Sequence, residues 1–242
     1  MKRLRLADDA LVLVLTGAGI SAESGVPTFR GMNGLWEGHR VEEVASPEGF
    51  EADPALVWRF YSLRRDGAAK VAPNAGHVAL AELEARLGDR FLLVTQNVDG
   101  LHARAGSRRV LAIHGELFKS RCERCAVPFD DAQTYFDALP TCAQCGGAVR
   151  PHIVWFGEQL DPAHLREIDR FMTRAGPKLV FLAVGTSGLV YPAAGLVERA
   201  KAVGGRAWLV DAAPSDEHAA RFDEVLVGKS GELLPALFAP AP

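Results

Sequence analysis

Leu11-Val12-Leu13-Val14-Leu15-Thr16-Gly17-Ala18-Gly19-Ile20-Ser21-Ala22 is the stretch that decides the fold. Five consecutive apolar residues with no alternation read as a strand buried on both faces, which is the mark of a parallel sheet. The run stops at a glycine turn, as a strand entering a βα connection does. Similar runs recur at 91–94, 110–113, 179–184, 207–210 and 225–227. Helical spacing falls between them, at 76–87 and at 192–203, where Pro192 stands at a plausible first-turn position. Strands alternating with helices predict an α/β fold, a Rossmann-like parallel sheet covered on both faces. Two segments interrupt this pattern. Residues 31–75 are rich in Gly, Pro and charge, with a helix expected over 54–66, and residues 119–157 hold every cysteine. We expect a large Rossmann-like domain from about 1–30, 76–118 and 158–242. A smaller inserted domain then combines a helical module (31–75) with a cysteine module (119–157). Ligands of open α/β sheets bind beyond the carboxyl ends of the strands. The glycine turn, Thr95-Gln96-Asn97 and Gly185-Thr186-Ser187 all fall there, facing a cleft between the two parts.

Bulk composition excludes several classes. The chain has 242 residues, 27 basic against 30 acidic, for a net charge of −3. That balance gives no footprint for nucleic acid or for an anionic membrane surface. The apolar runs are far too short to span a bilayer. Asp8 and Asp9 interrupt any signal-peptide hydrophobic region after Lys2, Arg3 and Arg5. A cytoplasmic, monomeric protein is expected.

Cys122, Cys125, Cys142 and Cys145 fall in the pattern C-x2-C-x16-C-x2-C. Two paired thiolates on separate knuckles can close a tetrahedron around zinc, and four cysteine ligands leave no open position for water. The zinc is therefore expected to be structural. Two disulfides are the competing reading, suited to a secreted protein instead.

Gly17 to Ala22 fits G-x-G-x-x-A after a strand, where the second glycine would let backbone approach a pyrophosphate and a helix N-terminus would offer N–H donors. The acid that usually ends a second strand about 20 residues on is absent. Asp211, at the end of the 207–210 strand, could take the ribose contact instead. Gln96, Asn97 and Asp99 at a strand end can bind a carboxamide and a water, although Asn-x-Asp-Gly is also good turn chemistry.

The chain resembles a sirtuin over nearly its whole length. The carrying motifs are GAGIS at 17–21, GVPTFRG at 25–31, TQNVD at 95–99, HG at 114–115, the four cysteines, WFGE at 155–158 and GTS at 185–187. The resemblance implies NAD-dependent removal of acyl groups from protein lysines. The acyl oxygen displaces nicotinamide from the ribose, and the products are free lysine, nicotinamide and O-acyl-ADP-ribose. It implies His114 as general base and Asn97 as its catalytic neighbour. A near-neutral imidazole suits that task, whereas an isolated histidine at a strand end reads as packing. The NAD contacts implied are Gly17, Ala18, Gly19, Ile20, Ser21, Ala22, Phe29, Arg30, Trp36, Gln96, Asn97, Val98, Asp99, Gly185, Thr186, Ser187, Asp211 and Lys229. Phe29 would shield the reacting carbon from water, and Arg30 would lie near phosphate. Asp211 stands where the family often carries Asn, and its charge would repel the extra phosphate of NADP, so NAD is expected.

Substrate protein would bind as an extended strand between 154–158 and 188–191, touching Val154, Phe156 and Gly157. Tyr61 and Arg64, at i and i+3 on a helix, share a face and resemble the sirtuin subgroup that removes succinyl and malonyl groups. A guanidinium can grip a terminal carboxylate bidentately while a phenol adds a third bond. Leu56, Phe60 and Leu63 would form the adjoining apolar stripe. Other histidines, including His77, His102 and His152, read as packing. Two further readings stay open: a protein ADP-ribosyltransferase on the same scaffold, and a non-catalytic NAD-sensing module.

Overall fold

The computed structural model describes residues 4, 6–27, 35–36 and 38–239. In chain order, β1 (Leu11–Thr16) leads into the single-turn α1 (Gly19–Ala22). The short strands β2 (Leu35–Trp36) and β3 (His39–Arg40) precede α2 (Val41–Val44), α3 (Pro47–Ala52), α4 (Pro54–Lys70) and α5 (Ala75–Leu87). Next come β4 (Phe91–Thr95), α6 (Leu101–Arg104), β5 (Val110–Ala112), β6 (Gly115–Cys122), β7 (Pro128–Asp130) and β8 (Val149–Ile153). The chain closes with α7 (Pro162–Ala175), β9 (Leu179–Val184), α8 (Leu196–Ala202), β10 (Arg206–Asp211), α9 (Asp216–Ala219), β11 (Glu224–Val227) and α10 (Ser230–Leu237).

The six strands read from the sequence form one sheet in the order β11-β10-β9-β1-β4-β5, every pair parallel. Continuous apolar runs are needed because both faces are covered. Leu13 and Leu15 of β1 enter a core with Ile168, Phe171 and Met172 of α7 and Val197 of α8. Val12 and Val14 enter the opposite core with Leu80 and Leu83 of α5 and Leu234 and Leu237 of α10. Truncating any of these fully buried leucines to alanine costs about 2–5 kcal/mol. The sequence reading does not single out α7, although Asp161 caps it by accepting from the Ala163 N–H at 2.7 Å and Pro162 fills its first position.

Two helices differ from expectation. α4 continues to Lys70, because Gly67 is too weak a breaker within a run containing Ala68 and Ala69, and Pro73 lies beyond it. The helix expected over 192–203 starts later. The Tyr191–Pro192 bond is cis, and a 3-10 turn at Ala193–Gly195 precedes α8.

After β1 the chain lays β4 and β5 on one side, then returns to lay β9 on the other. The sheet's switch point is thus between β1 and β9, where α/β ligands bind. There the two glycine turns press together. The Gly19 N–H donates to Gly185 O at 2.8 Å, and a Cβ on Gly19 would lie 2.6 Å from the Gly185 Cα. These glycines first serve turn-against-turn packing.

The cysteine module is a separate antiparallel sheet, β7-β6-β8. Its central strand, β6, starts at Gly115, upstream of the 118/119 boundary expected, so the module is rooted beside His114. At Gly115 (φ +89) an added Cβ would lie 2.1 Å from the His152 carbonyl oxygen, so glycine is required for β6 to meet β8. Arg65 fastens α4 to this sheet. It is 1% exposed, its Nε donates to Leu117 O at 2.8 Å, and its Nη1 pairs with Asp131 at 3.2 Å. Its Nη2 donates to Lys119 O and Ser120 Oγ at 3.1 and 3.0 Å. Among the described residues, no helix is long and apolar enough to cross a membrane.

Candidate active site

A cavity of about 960 Å³ opens between the large sheet and the smaller modules. One wall is made of strand ends: Gly17, Ala18, Gly19, Ser21 and Ala22 after β1; Gln96, Asn97, Val98 and Asp99 after β4; Gly185, Thr186 and Ser187 after β9; Asp211 at the end of β10; and Lys229 before α10. The facing wall carries Tyr61, Arg64, Val154, Phe156 and Gly157, with His114 between the two. Ile20 is the exception among the described NAD-contact candidates, being fully buried in the core behind the wall. Phe29 and Arg30 lie outside the described residues, and only the backbone of Trp36, on β2, is described.

Most amides at the glycine turn are already used within the protein, the Ala18 N–H having no partner among the described residues. α1 is one turn long, and the amides of Gly19, Ile20 and Ser21 are engaged by the carbonyls of Gly185, Gly17 and Ala18. The turn presents a close backbone surface to the cavity, which Ala18 lines.

Beneath the strand-end wall lies a connected polar network. Asn97 Nδ2 donates to Gly17 O at 3.0 Å and to Ser21 Oγ at 3.1 Å, and Ser21 Oγ donates to Asp99 Oδ2 at 2.7 Å. Asp99 Oδ1 accepts from the Leu101 N–H at 2.9 Å, so the turn reading and the pocket reading of this segment hold together. Gln96 Nε2 donates to Thr186 Oγ1 at 2.9 Å, tying the ends of β4 and β9. His77 and His102, read as packing, are buried behind this wall. The Asn74 N–H donates to His77 Nδ1 at 3.3 Å, which leaves Nε2–H to face Ser21 Oγ at 3.4 Å. Thr16 Oγ1 donates to Thr95 Oγ1 at 2.7 Å and so accepts from His102 Nε2 at 2.9 Å. Burial, with the His77 ring adjacent, drives His102 down to about 3, so it stays neutral across the physiological range.

His114 follows β5 and precedes β6. Its Nδ1 lies 3.2 Å from Gln96 O. A carbonyl can only accept, so Nδ1 carries the proton and Nε2 keeps a lone pair. Burial holds the ring below the ordinary histidine range, and the Gln96 bond partly offsets this. The arrangement is that of a neutral imidazole ready to take a proton.

On the facing wall, α4 is capped by Asp53 Oδ1, which accepts from the Leu56 N–H at 2.9 Å. Tyr61 is fully buried and Arg64 partly so, and the Arg64 guanidinium carbon lies 5.8 Å from the Tyr61 ring centre. Burial pushes the Tyr61 phenol up to about 12, so it stays protonated. The apolar stripe differs from expectation: Phe60 is buried but Leu63 is 54% exposed. In its place Val57, Trp58 and Ala68 face the core with Phe60 and Tyr61. Most amides of the 154–158 edge are engaged internally: Val154 donates to His114 O, Phe156 to Ala45 O, Trp155 to Glu158 Oε2 and Glu158 to Trp155 O. The Gly157 N–H is the one in this run with no partner among the described residues. Trp155 and Glu158, expected only as part of the 154–158 substrate edge, both border the cavity.

The four cysteine sulfurs lie within 4.8 Å of one another, the shortest separations being 3.2 Å (Cys125–Cys145) and 3.5 Å (Cys122–Cys145). A tetrahedral zinc with Zn–S of about 2.3 Å spaces its sulfurs by about 3.8 Å. The thiols are free, not paired as disulfides. The N–H groups of Arg124 and Cys125 donate to Cys122 Sγ at 3.3 Å, which favours the thiolate that a metal needs. The cluster fits one structural zinc.

Comparison with known proteins agrees with this geometry. The model of the Sir2 family matches residues 17–192. An NAD-dependent protein deacylase of Salmonella typhimurium is 47% identical over 236 residues, covering 95% of this chain and 83% of that protein. Among solved structures, a Sir2 homologue in complex with NAD superposes with a TM-score of 0.86 at 41% identity, covering 98% of this chain and 94% of that one. A Sir2 mutant holding a deacetylated p53 peptide and 3′-O-acetyl ADP-ribose superposes at 0.80 with 31% identity, covering 93% and 90%. The chain belongs to the Sir2 family.

Proposed function

We propose that this chain is an NAD-dependent protein-lysine deacylase that uses His114 as its base and favours acyl groups ending in a carboxylate, succinyl and malonyl above acetyl. The observation that carries the reading is a single cavity bordered at once by the strand-end turns, by His114, and by Tyr61 with Arg64. The relatives named above support the reaction class.

Bound NAD supplies an electrophilic ribose carbon with nicotinamide as leaving group. The residues of the chain do the rest. Asn97, clamped by Gly17 O and Ser21 Oγ, and Asp99, held by Ser21 and Leu101, keep the nicotinamide end of the pocket rigid. His114 Nε2 accepts a proton from a ribose hydroxyl, with Gln96 O fixing the tautomer. Asp211 accepts from the adenosine ribose, and Lys229 borders that end of the cavity. The Gly157 N–H and the carbonyls around it meet an extended substrate strand. Arg64 pairs with the acyl carboxylate while Tyr61 donates to it.

The test is an NAD-dependent assay on one peptide carrying succinyl-, malonyl- or acetyl-lysine in turn, with wild type and Arg64→Met. Loss of a buried charged partner is worth about 1–3 kcal/mol, so Arg64→Met should lower the succinyl-to-acetyl ratio of kcat/KM by roughly 5- to 150-fold. An equal loss on both peptides removes the carboxylate-binding role.

A further inference from the structure

Trp155 is placed to decide what the Tyr61 hydroxyl can bind. Its indole is 2% exposed and tightly held. The Phe50 ring packs against it at 5.3 Å between centroids, and the Arg150 guanidinium lies 3.1 Å over its face. Arg150 is itself fixed, donating to Glu158 Oε1 and Oε2 at 2.8 and 2.9 Å and to Ile153 O at 3.0 Å. Glu158 closes the loop by accepting from the Trp155 backbone N–H at 2.8 Å. So braced, the indole Nε1–H points at Tyr61 Oη, 3.0 Å away.

An indole nitrogen donates and never accepts. Tyr61 Oη must therefore be the acceptor in this pair, and the phenol's own proton has to go elsewhere. Among the described residues nothing takes it, and Tyr61 borders the cavity beside Arg64. Were the Trp155 donor missing, the phenol could equally offer a lone pair to the cavity and would suit a neutral donor as well as an anion. We propose that Trp155 is a positioning residue for acyl selection: by donating to Tyr61 Oη it makes the phenol an obligatory donor, matched to an acceptor-only group such as a terminal carboxylate. An acetyl methyl neither accepts that proton nor relieves the buried donor of its missing partner. This inference rests on the acyl-binding role proposed above for Tyr61 and Arg64.

The test measures steady-state rates on succinyl- and acetyl-lysine forms of one peptide at saturating NAD. Enzymes compared are wild type, Trp155→Phe, Tyr61→Phe, the double variant and Arg64→Met. A second substitution at 155, benzothienylalanine, keeps the bicyclic shape with sulfur in place of N–H and guards against a packing defect in the phenylalanine variant. Either change at 155 should lower the succinyl-to-acetyl ratio of kcat/KM by about three- to tenfold, the worth of one net hydrogen bond, with the loss carried by KM of the succinyl peptide. Adding Trp155→Phe to Tyr61→Phe should lower the ratio no further. A ratio unchanged by both substitutions at 155, or an additive double variant, overturns the proposal. If Arg64→Met also leaves the ratio unchanged, the acyl-binding reading has failed; if Arg64→Met lowers it and the 155 variants do not, only the role of Trp155 is lost.

Discussion

The two walls of the cavity are built by opposite means. The strand-end wall is made of short segments within a few residues of β1, β4 and β9, whose parallel register aligns Thr16 with Thr95 and Val184. Its groups are held by backbone and by small side chains, as Asn97, Ser21 and Asp99 hold one another. The facing wall has no such frame. Tyr61 comes from the middle of α4, and Trp155 from the turn after β8. They meet because buried cations brace them: Arg65 pins α4 to β6 through Leu117 O, Lys119 O and Ser120 Oγ while pairing with Asp131, and Arg150 with Glu158 braces Trp155. In the function proposed above, the stiff wall carries the chemistry and the braced wall carries the selection. The two should therefore separate when residues are changed.

The largest effect expected is on the braced wall's own support. Cys142→Ala should reduce zinc from about one per chain and unfold the β6–β8 module, because binding of a structural zinc is itself folding free energy, about 10–16 kcal/mol in small zinc domains. Metal analysis and thermal unfolding check this, and reduced protein purified without any metal would break the account of the module. Next comes the stiff wall. His114→Ala should cost about 10²- to 10⁴-fold in kcat, equally on succinyl and acetyl peptides and with little change in thermal stability. A loss confined to one acyl type would erase the division between the walls. In wild type, the lowered pKa of His114 means that the neutral base form predominates down to below the ordinary histidine value. Activity should thus hold as pH falls through about 6.5 and decline only further down; a decline centred above that value contradicts the assignment. Smaller still in its effect on chemistry is Arg65→Met. It strands Asp131 in the interior and should cost about 3–5 kcal/mol in stability, read by urea unfolding. In the fraction that stays folded, the succinyl-to-acetyl ratio should fall while turnover on acetyl peptide keeps its pH profile.

The same contrast explains what could be read from the chain alone. β9 was legible to the residue, and the other sheet strands to within one or two, because burial on both faces demands unbroken apolar runs and glycine marks their ends. Gln96, Asn97 and Asp99 are legible for the same reason, since each stands where a strand ends, whereas His114 at its strand end reads as packing until the sirtuin resemblance assigns it a role. β6 and β8 were not legible, because segments such as Lys119-Ser120-Arg121 and Arg150-Pro151-His152 carry polar side chains even where they are buried, as at Ser120 and Arg150, so no apolar run marks them. Nor was the pairing of Trp155 with Tyr61, which lie 94 residues apart, or of His102 with Thr16, 86 apart. Local patterning carries no signal for partners at that separation. Arg65 shows the limit well: one residue beyond Arg64 on α4, it does not line the cavity, yet nothing nearby announces it as the buried anchor of that wall.

The most direct test of the central claim is product analysis by mass spectrometry after incubation with NAD and a succinyl-lysine peptide. The account predicts that each lysine freed is accompanied by one nicotinamide and one O-succinyl-ADP-ribose, and that all three vanish together in His114→Ala. Release of free succinate without nicotinamide, or ADP-ribose transferred to protein while the succinyl-lysine stays intact, would contradict it.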